Sequence, residues 1–186
     1  LYGLIYKPSN FDANKRYAII NDTYTGPHNF FTQKSFNTFS NQRSALAELG
    51  FVVVKMDGRG TSKRGKAFHR HSYKNLAAGT DDHVWAITQL AKERPYMDVN
   101  RVGIFGFSAG GYDVVQAMMR HPDFFKAGVS ASGNHEFKVD KAGWNEIWMG
   151  WPVSKEWRQQ SNLYRVNRLK GKLLLGHGEL DSNVHP

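Results

Sequence analysis

Residues 101–111, RVGIFGFSAGG, leave the chain few choices. A β-rich apolar run, residues 102–107, passes directly into Ser108, and small residues follow. From Tyr112 onward Val114, Val115, Met118 and Met119 recur at three- and four-residue spacing, and Pro122 limits the run, so this part reads as a helix. A strand that reverses into a helix at one residue brings two backbones close together, and Gly106, Gly110 and Gly111 leave room for that approach. Gly106-Phe107-Ser108-Ala109-Gly110 fits G-x-S-x-G, in which a serine hydroxyl is presented on a strained strand-to-helix turn. The five-residue pattern alone is common. Its strand–turn–helix setting carries the weight, and the alternative is an ordinary glycine-rich βα turn.

The rest of the chain supplies partners for that strand. Residues 1–6 and 16–21 read as short strands, joined through Pro8-Ser9-Asn10-Phe11-Asp12. Residues 22–40 are polar and aromatic without period and read as a long surface loop. Ser40 or Asn41 can cap a helix bearing Ala45, Leu46 and Leu49, closed by Gly50. Residues 51–56 form a continuous apolar run of β-branched type, as in a strand covered on both faces. Asp57-Gly58-Arg59-Gly60 turns the chain. Thr80, Asp81 and Asp82 suit the start of a second helix, with Val84, Ile87, Leu90 and Ala91 as its buried stripe and Pro95 at its end. Residues 126–132 and 172–177 read as further strands, separated by an irregular segment rich in tryptophan from Trp144 to Trp157. Strands alternating with helices imply an α/β fold, a mostly parallel sheet with helices on both faces. No internal repeat or linker divides residues 1–186, which read as one domain.

Bulk properties narrow the function. No apolar run approaches the roughly 18 residues of a membrane span. The net charge is +9, but its densest patches are only Lys63-Arg64-Gly65-Lys66 and His69-Arg70-His71, a solvated basic surface rather than a nucleic-acid module. Zero cysteines exclude disulfides and thiol chemistry. Gly58-Arg59-Gly60-Thr61-Ser62-Lys63 begins like a dinucleotide-binding loop, but Lys63 stands where the third glycine belongs. His69 and His71 have no carboxylate beside them and read as a surface pair, with the tryptophans Trp148, Trp151 and Trp157 as core or cover. Neither a cofactor nor a metal is called for.

Acyl transfer on a serine needs a base, a group that orients the base, and donors for the oxyanion. In the α/β-hydrolase order the acid and then the histidine follow the serine. Asp181 lies in the loop after the last strand, where such an acid belongs, although an aspartate there also suits a plain turn. His28, His69, His71, His83, His121, His135 and His177 all precede it. His185 follows by only four residues, too near to reach Ser108 in the usual arrangement, so the base is expected further along the chain. Tyr24, after the second strand, can donate its hydroxyl to an oxyanion, and the Ala109 amide at the start of the helix is the other donor.

Four segments in this order are similar to the prolyl oligopeptidase family, most of all its dipeptidyl peptidase IV branch. They are Tyr24-Thr25-Gly26-Pro27, Asp57-Gly58-Arg59-Gly60, the segment 106–111, and His177-Gly178-Glu179-Leu180-Asp181-Ser182-Asn183-Val184-His185. The resemblance spans nearly all of the chain. It implies an α/β-hydrolase fold and a peptide substrate, with Ser108 as nucleophile, Asp181 as triad acid, and Tyr24 as oxyanion donor. It places Asn183 on a substrate carbonyl, Val184 as a wall of the proline pocket, and Trp144 as an aromatic ring lining that pocket. Release of amino-terminal dipeptides with proline or alanine in second position would follow, in an exported or periplasmic protein. The family's preceding β-propeller, and its last strand and helix with the catalytic histidine, are not among these 186 residues. Asp140 stands where a second pocket tyrosine is expected, and Phe137 where a tryptophan is expected. Other readings are an esterase or acylaminoacyl hydrolase, or an interaction domain without catalysis. With the last strand missing, residues 172–176 would be an exposed apolar edge, and the chain would aggregate, pair through that edge as a homo-oligomer, or carry further residues.

Overall fold

The computed structural model describes residues 1–36 and 39–186. Among these described residues six strands form one sheet: β1 (Tyr2–Tyr6), β2 (Tyr17–Asp22), β3 (Val52–Asp57), β4 (Met97–Phe107), β5 (Phe125–Ala131) and β6 (Lys172–Gly176), in the spatial order β1-β3-β2-β4-β5-β6. β1 runs antiparallel to β3, and every other pairing is parallel. The helices are α1 (Asn41–Glu48), α2 (Lys66–His69), α3 (Ala78–Glu93), α4 (Ala109–Arg120), α5 (Ala142–Met149) and α6 (Lys155–Gln160). From β2 the chain winds outward to β3, then crosses back through α3 to β4 on the other side. Such a reversal opens a crevice at the carboxyl ends of the two central strands, where open α/β sheets bind ligands. Tyr24 leaves β2 and Ser108 leaves β4 at that crevice.

The main core collects Ile19 of β2, Val52, Val54 and Met56 of β3, Ile87 of α3, Val102 and Ile104 of β4, Val114, Ala117 and Met118 of α4, and Phe125 of β5. Every residue of β3 is buried, as a doubly covered strand requires. That includes Lys55, whose ammonium meets Asp22 Oδ1 at 3.1 Å, while Arg43 binds the other oxygen of the same carboxylate. A buried charge is tolerated only with such a partner.

Several expectations from the sequence need correction. α3 starts at Ala78, not Thr80, and the Thr80 hydroxyl donates to the Ala77 carbonyl at 2.7 Å from within the first turn. Asp82 pairs with Arg59 of the preceding turn, and Asp81 with His121 at the end of α4. The glycine run before α3 is there for packing: a Cβ on Gly58 would lie 2.5 Å from Gly79 Cα. β4 begins at Met97, five residues before the apolar run, because the chain pairs with β2 through a register shift near Ala18 and Ile19. The tryptophan-rich segment is not irregular. It holds α5 and α6, whose Met149 and Trp157 join Leu76, Tyr112 and Phe137 in a second core under the crevice. Gly150, at φ 81°, breaks the two helices apart. Residues 37 and 38 of the expected loop lie outside the described residues.

β6 occupies one edge of the sheet, paired with β5 alone among the described residues, and leaves Leu174 and Leu175 exposed. Among the described residues no helix is long and apolar enough to cross a membrane.

Candidate active site

Ser108 sits at φ 59°, ψ −123°, between the last residue of β4 and the first of α4. A non-glycine residue in this region is strained and is held there by its surroundings. Its amide donates to the Ala131 carbonyl at 2.8 Å, and its own carbonyl accepts from the Tyr112 amide. The flanking glycines are steric necessities. A Cβ on Gly106 would fall 2.3 Å from the Gly110 carbonyl oxygen, and one on Gly110 would fall 2.5 Å from that of Thr23. The elbow and the segment entering Tyr24 are thus pressed backbone to backbone.

That contact places Tyr24 beside the serine. Its ring packs on Phe31, centroids 4.3 Å apart. Burial raises the phenol pKa above its ordinary value, hydrogen bonds from the Ser108 side chain and the Ala109 amide oppose the rise, and the charge of Asp113 adds to it. The hydroxyl stays protonated at neutral pH and can donate. Two buried carboxylates fix its loop. Asp113 Oδ2 accepts from the Thr25 amide at 2.6 Å and Oδ1 meets the Thr25 hydroxyl at 2.8 Å. Asp57 Oδ1 accepts from the Phe31 amide at 2.6 Å and the Thr32 amide at 3.1 Å. Sequence reading missed both roles. Asp57 reads as a turn former, and the available signal for Asp113 was an acid beside Val114 and Val115 on an apolar helix.

A cavity of about 220 Å³ opens at Ser108, lined by Tyr24, His28, Ala109, Asn134, Asp140, Lys141, Trp144, Asn183 and Val184. Six of the seven candidate residues therefore line one cavity. The seventh, Asp181, lies behind Asn183 and Val184 and accepts both of their amides on Oδ1, at 2.9 and 3.0 Å. Those bonds, the Val184 amide first, hold its carboxyl below the usual range, helped by the Ser132 side chain and by His177. His177 Nε2 sits 3.8 Å from Asp181 and 2.7 Å from the Val184 carbonyl, tying the loop to itself. His185 is exposed and is not among the residues lining the cavity.

Opposite Asp181, α5 delivers Trp144, whose ring meets His28 edge-on at 5.1 Å. Lys141 Nζ, just before α5, donates to the Asn183 side chain and ties the α5 side of the cavity to the Asp181 loop. Asp140 lines the cavity in place of the expected tyrosine, with Oδ2 accepting from Asn134 at 2.8 Å. Phe137 is turned away into the lower core against Tyr112. His28, not singled out from the sequence, faces the same space, and burial lowers its pKa. A wider apolar depression of about 540 Å³ lies over Ile20, Phe51, Gly103, Phe105 and Val129, but neither Ser108 nor Tyr24 lines it. Of the histidine pair, His69 bonds the Pro27 carbonyl at 2.7 Å while His71 is exposed. Among the described residues no group of three His, Asp or Glu is placed to hold a metal ion.

A mostly parallel sheet with a positive-φ serine between its central strand and the following helix defines an α/β-hydrolase. Within that class the chain belongs to the prolyl oligopeptidase family, whose profile matches residues 37–186. It is 33% identical to mouse dipeptidyl peptidase 8 over 192 aligned positions, covering 100% of this chain and 22% of the relative. The human dipeptidyl peptidase 8 matches at the same identity, with 21% of its length covered. The structure of Porphyromonas gingivalis dipeptidyl peptidase 4 superposes with a TM-score of 0.88 at 32% identity, over 98% of this chain and 26% of that one. The chain thus spans about a quarter of the length of these relatives.

Proposed function

We propose that these residues are the catalytic domain of a serine peptidase that removes amino-terminal dipeptides. The observation that carries the reading is the position of the Ser108 hydroxyl on its strained elbow, with the Tyr24 hydroxyl and the Ala109 amide around it. In the reaction, Ser108 Oγ attacks the scissile carbonyl carbon while a histidine, placed after Asp181 by the family order, takes the hydroxyl proton. Asp181 orients that histidine. Tyr24 and the Ala109 amide donate to the carbonyl oxygen as it becomes an oxyanion. Collapse expels the new amino terminus with the proton from the histidine, and water then cleaves the acyl-enzyme to restore Ser108.

Trp144 and Val184 offer apolar walls for a proline or alanine side chain, and Asn183 offers a polar contact to a substrate carbonyl. Asp140 and Lys141 make this pocket more polar than the family pattern implies.

The test is labelling by a fluorophosphonate probe, in the chain itself and in a form extended at its carboxyl end, with Ser108→Ala as control. Labelling confined to the extended form, and lost in the alanine variant, supports the mechanism with a histidine beyond Asp181. Turnover of a proline dipeptide amide must then exceed that of a simple ester, or the esterase reading replaces this one. If both forms fold and neither labels, the catalytic reading fails in favour of an interaction domain.

A further inference from the structure

Asp113 has no place in the chemistry above, yet it joins the two parts that must be registered against each other. It lies on α4, the helix that begins at Ala109 and follows Ser108 directly. It grips Thr25, the residue after Tyr24, through amide and hydroxyl together. We infer that Asp113 is a positioning residue, which sets the Tyr24 hydroxyl against Ser108 by clasping Thr25 to the nucleophile's own helix. The inference rests on the proposed oxyanion role of Tyr24.

The clasp works with or without a charge. The Thr25 hydroxyl also lies 3.1 Å from the Leu76 carbonyl, to which it can donate its hydrogen bond. The hydroxyl oxygen is then free to accept from a protonated Asp113, while the other carboxyl oxygen keeps the Thr25 amide. Burial pushes the Asp113 carboxyl up to about 7, against the two Thr25 hydrogen bonds, Arg120 from α4 and Lys55 from β3, all of which favour the charged form. Both forms are populated near neutrality, and both can hold Thr25. An asparagine reproduces the protonated pattern, its oxygen on the amide and its NH₂ on the hydroxyl. A leucine of similar size can make neither bond.

The experiment compares second-order labelling rates with a fluorophosphonate, in whichever form of the wild type labels, after melting curves have shown which variants fold. Asp113→Asn should stay within about threefold of wild type. Asp113→Leu should fall by roughly ten- to a hundredfold, the scale for a misplaced oxyanion donor. Thr25→Val should fall by less, and Thr25→Ser should match wild type. In a Tyr24→Phe background, Asp113→Leu and Thr25→Val should cause no further loss, because the donor they position is already gone. Wild-type rates in Asp113→Leu, or losses that multiply in full onto Tyr24→Phe, would overturn the inference and leave Asp113 a fold-stabilising residue. If Asp113→Leu does not fold, Thr25→Val and its double variant decide alone. A wild type that labels in neither form overturns the serine-peptidase reading itself, which separates that failure from this one.

Discussion

The two walls of the Ser108 cavity are built in opposite ways. One wall, carrying Tyr24, Ser108 and Ala109, grows from the central strands β2 and β4. It is backed by the main core and fixed by the buried carboxylates of Asp113 and Asp57. The other wall, carrying Asp181, Asn183 and Val184, follows the exposed edge strand β6 and is held largely by bonds within its own loop. Preorganised donors must not move as charge develops, which suits a buried foundation. An acid that orients a base needs only a stable local turn. The difference predicts that changes on the Asp181 wall cost function without stability, while changes behind Tyr24 cost both.

The largest expected effect tests that separation. Asp181→Asn should reduce turnover by about 10⁴, the scale seen when a triad acid loses its charge. Its melting temperature at neutral pH should barely change, since the asparagine oxygen can still accept from the Asn183 and Val184 amides. The same logic sets a pH direction. The Asp181 pKa is depressed, so its hold on the Asn183 and Val184 amides is present above the ordinary carboxylate range and is lost as pH falls through the folded value. Protection of the Val184 amide against exchange, taken relative to its intrinsic rate at each pH, should fall with acidification in the wild type and stay level in the variant. A large thermal destabilisation in Asp181→Asn would erase the proposed contrast between the walls.

On the buried wall, Tyr24→Phe removes one hydroxyl and keeps the ring on Phe31. The labelling rate should drop by roughly 10²–10³, the usual cost of one oxyanion donor. A drop of less than fivefold, with the fold intact, would leave the Ala109 amide as the principal donor. Behind it, Gly110→Ala forces a methyl to 2.5 Å from the Thr23 carbonyl. Overpacking against backbone costs about 1–3 kcal/mol, so this variant should melt several degrees lower and also label more slowly. A loss of labelling with unchanged melting would mean that the elbow yields locally, and that the wall is softer than its packing implies.

What could be read from the sequence follows the same division between local and distant. The runs around Val52–Asp57 and at residues 102–107 announce strands because a doubly buried strand is apolar at each successive residue. The elbow announces itself because strain and close approach admit few residue types near Ser108. Tyr24, Asn183, Val184 and Trp144 were reached through family motifs, and the fold brings them around one cavity. The pairs that fix the buried wall are not visible in this way. Asp113 and Thr25 are 88 residues apart, and Asp57 and Phe31 are 26 apart. The apolar neighbours of Asp113 on α4 hint at burial, but nothing local names the partner whose donors it accepts. α5 and α6 escaped for a related reason: their tryptophans divide between the cavity and the lower core, with the exposed Trp151 between the two helices, so no single apolar stripe emerges.

The smallest expected effect concerns the edge on which the exposed wall stands. Leu174 and Leu175 lie on opposite faces of β6 and are 64% and 60% exposed, beside a strand edge with no partner among the described residues. Such an edge is a template for a second chain, and charge on it is the usual protection. We expect the chain to self-associate through β6, and Leu175→Lys to shift it toward monomer in size-exclusion chromatography. Folding stability should change by no more than about 0.5 kcal/mol, since the leucine is mostly solvated already. If the wild type is a stable monomer across concentration, β6 is not an association edge. If Leu175→Lys instead unfolds the chain, the edge is bound more tightly into the core than its exposure indicates. The contrast between the two walls would then narrow from the other side.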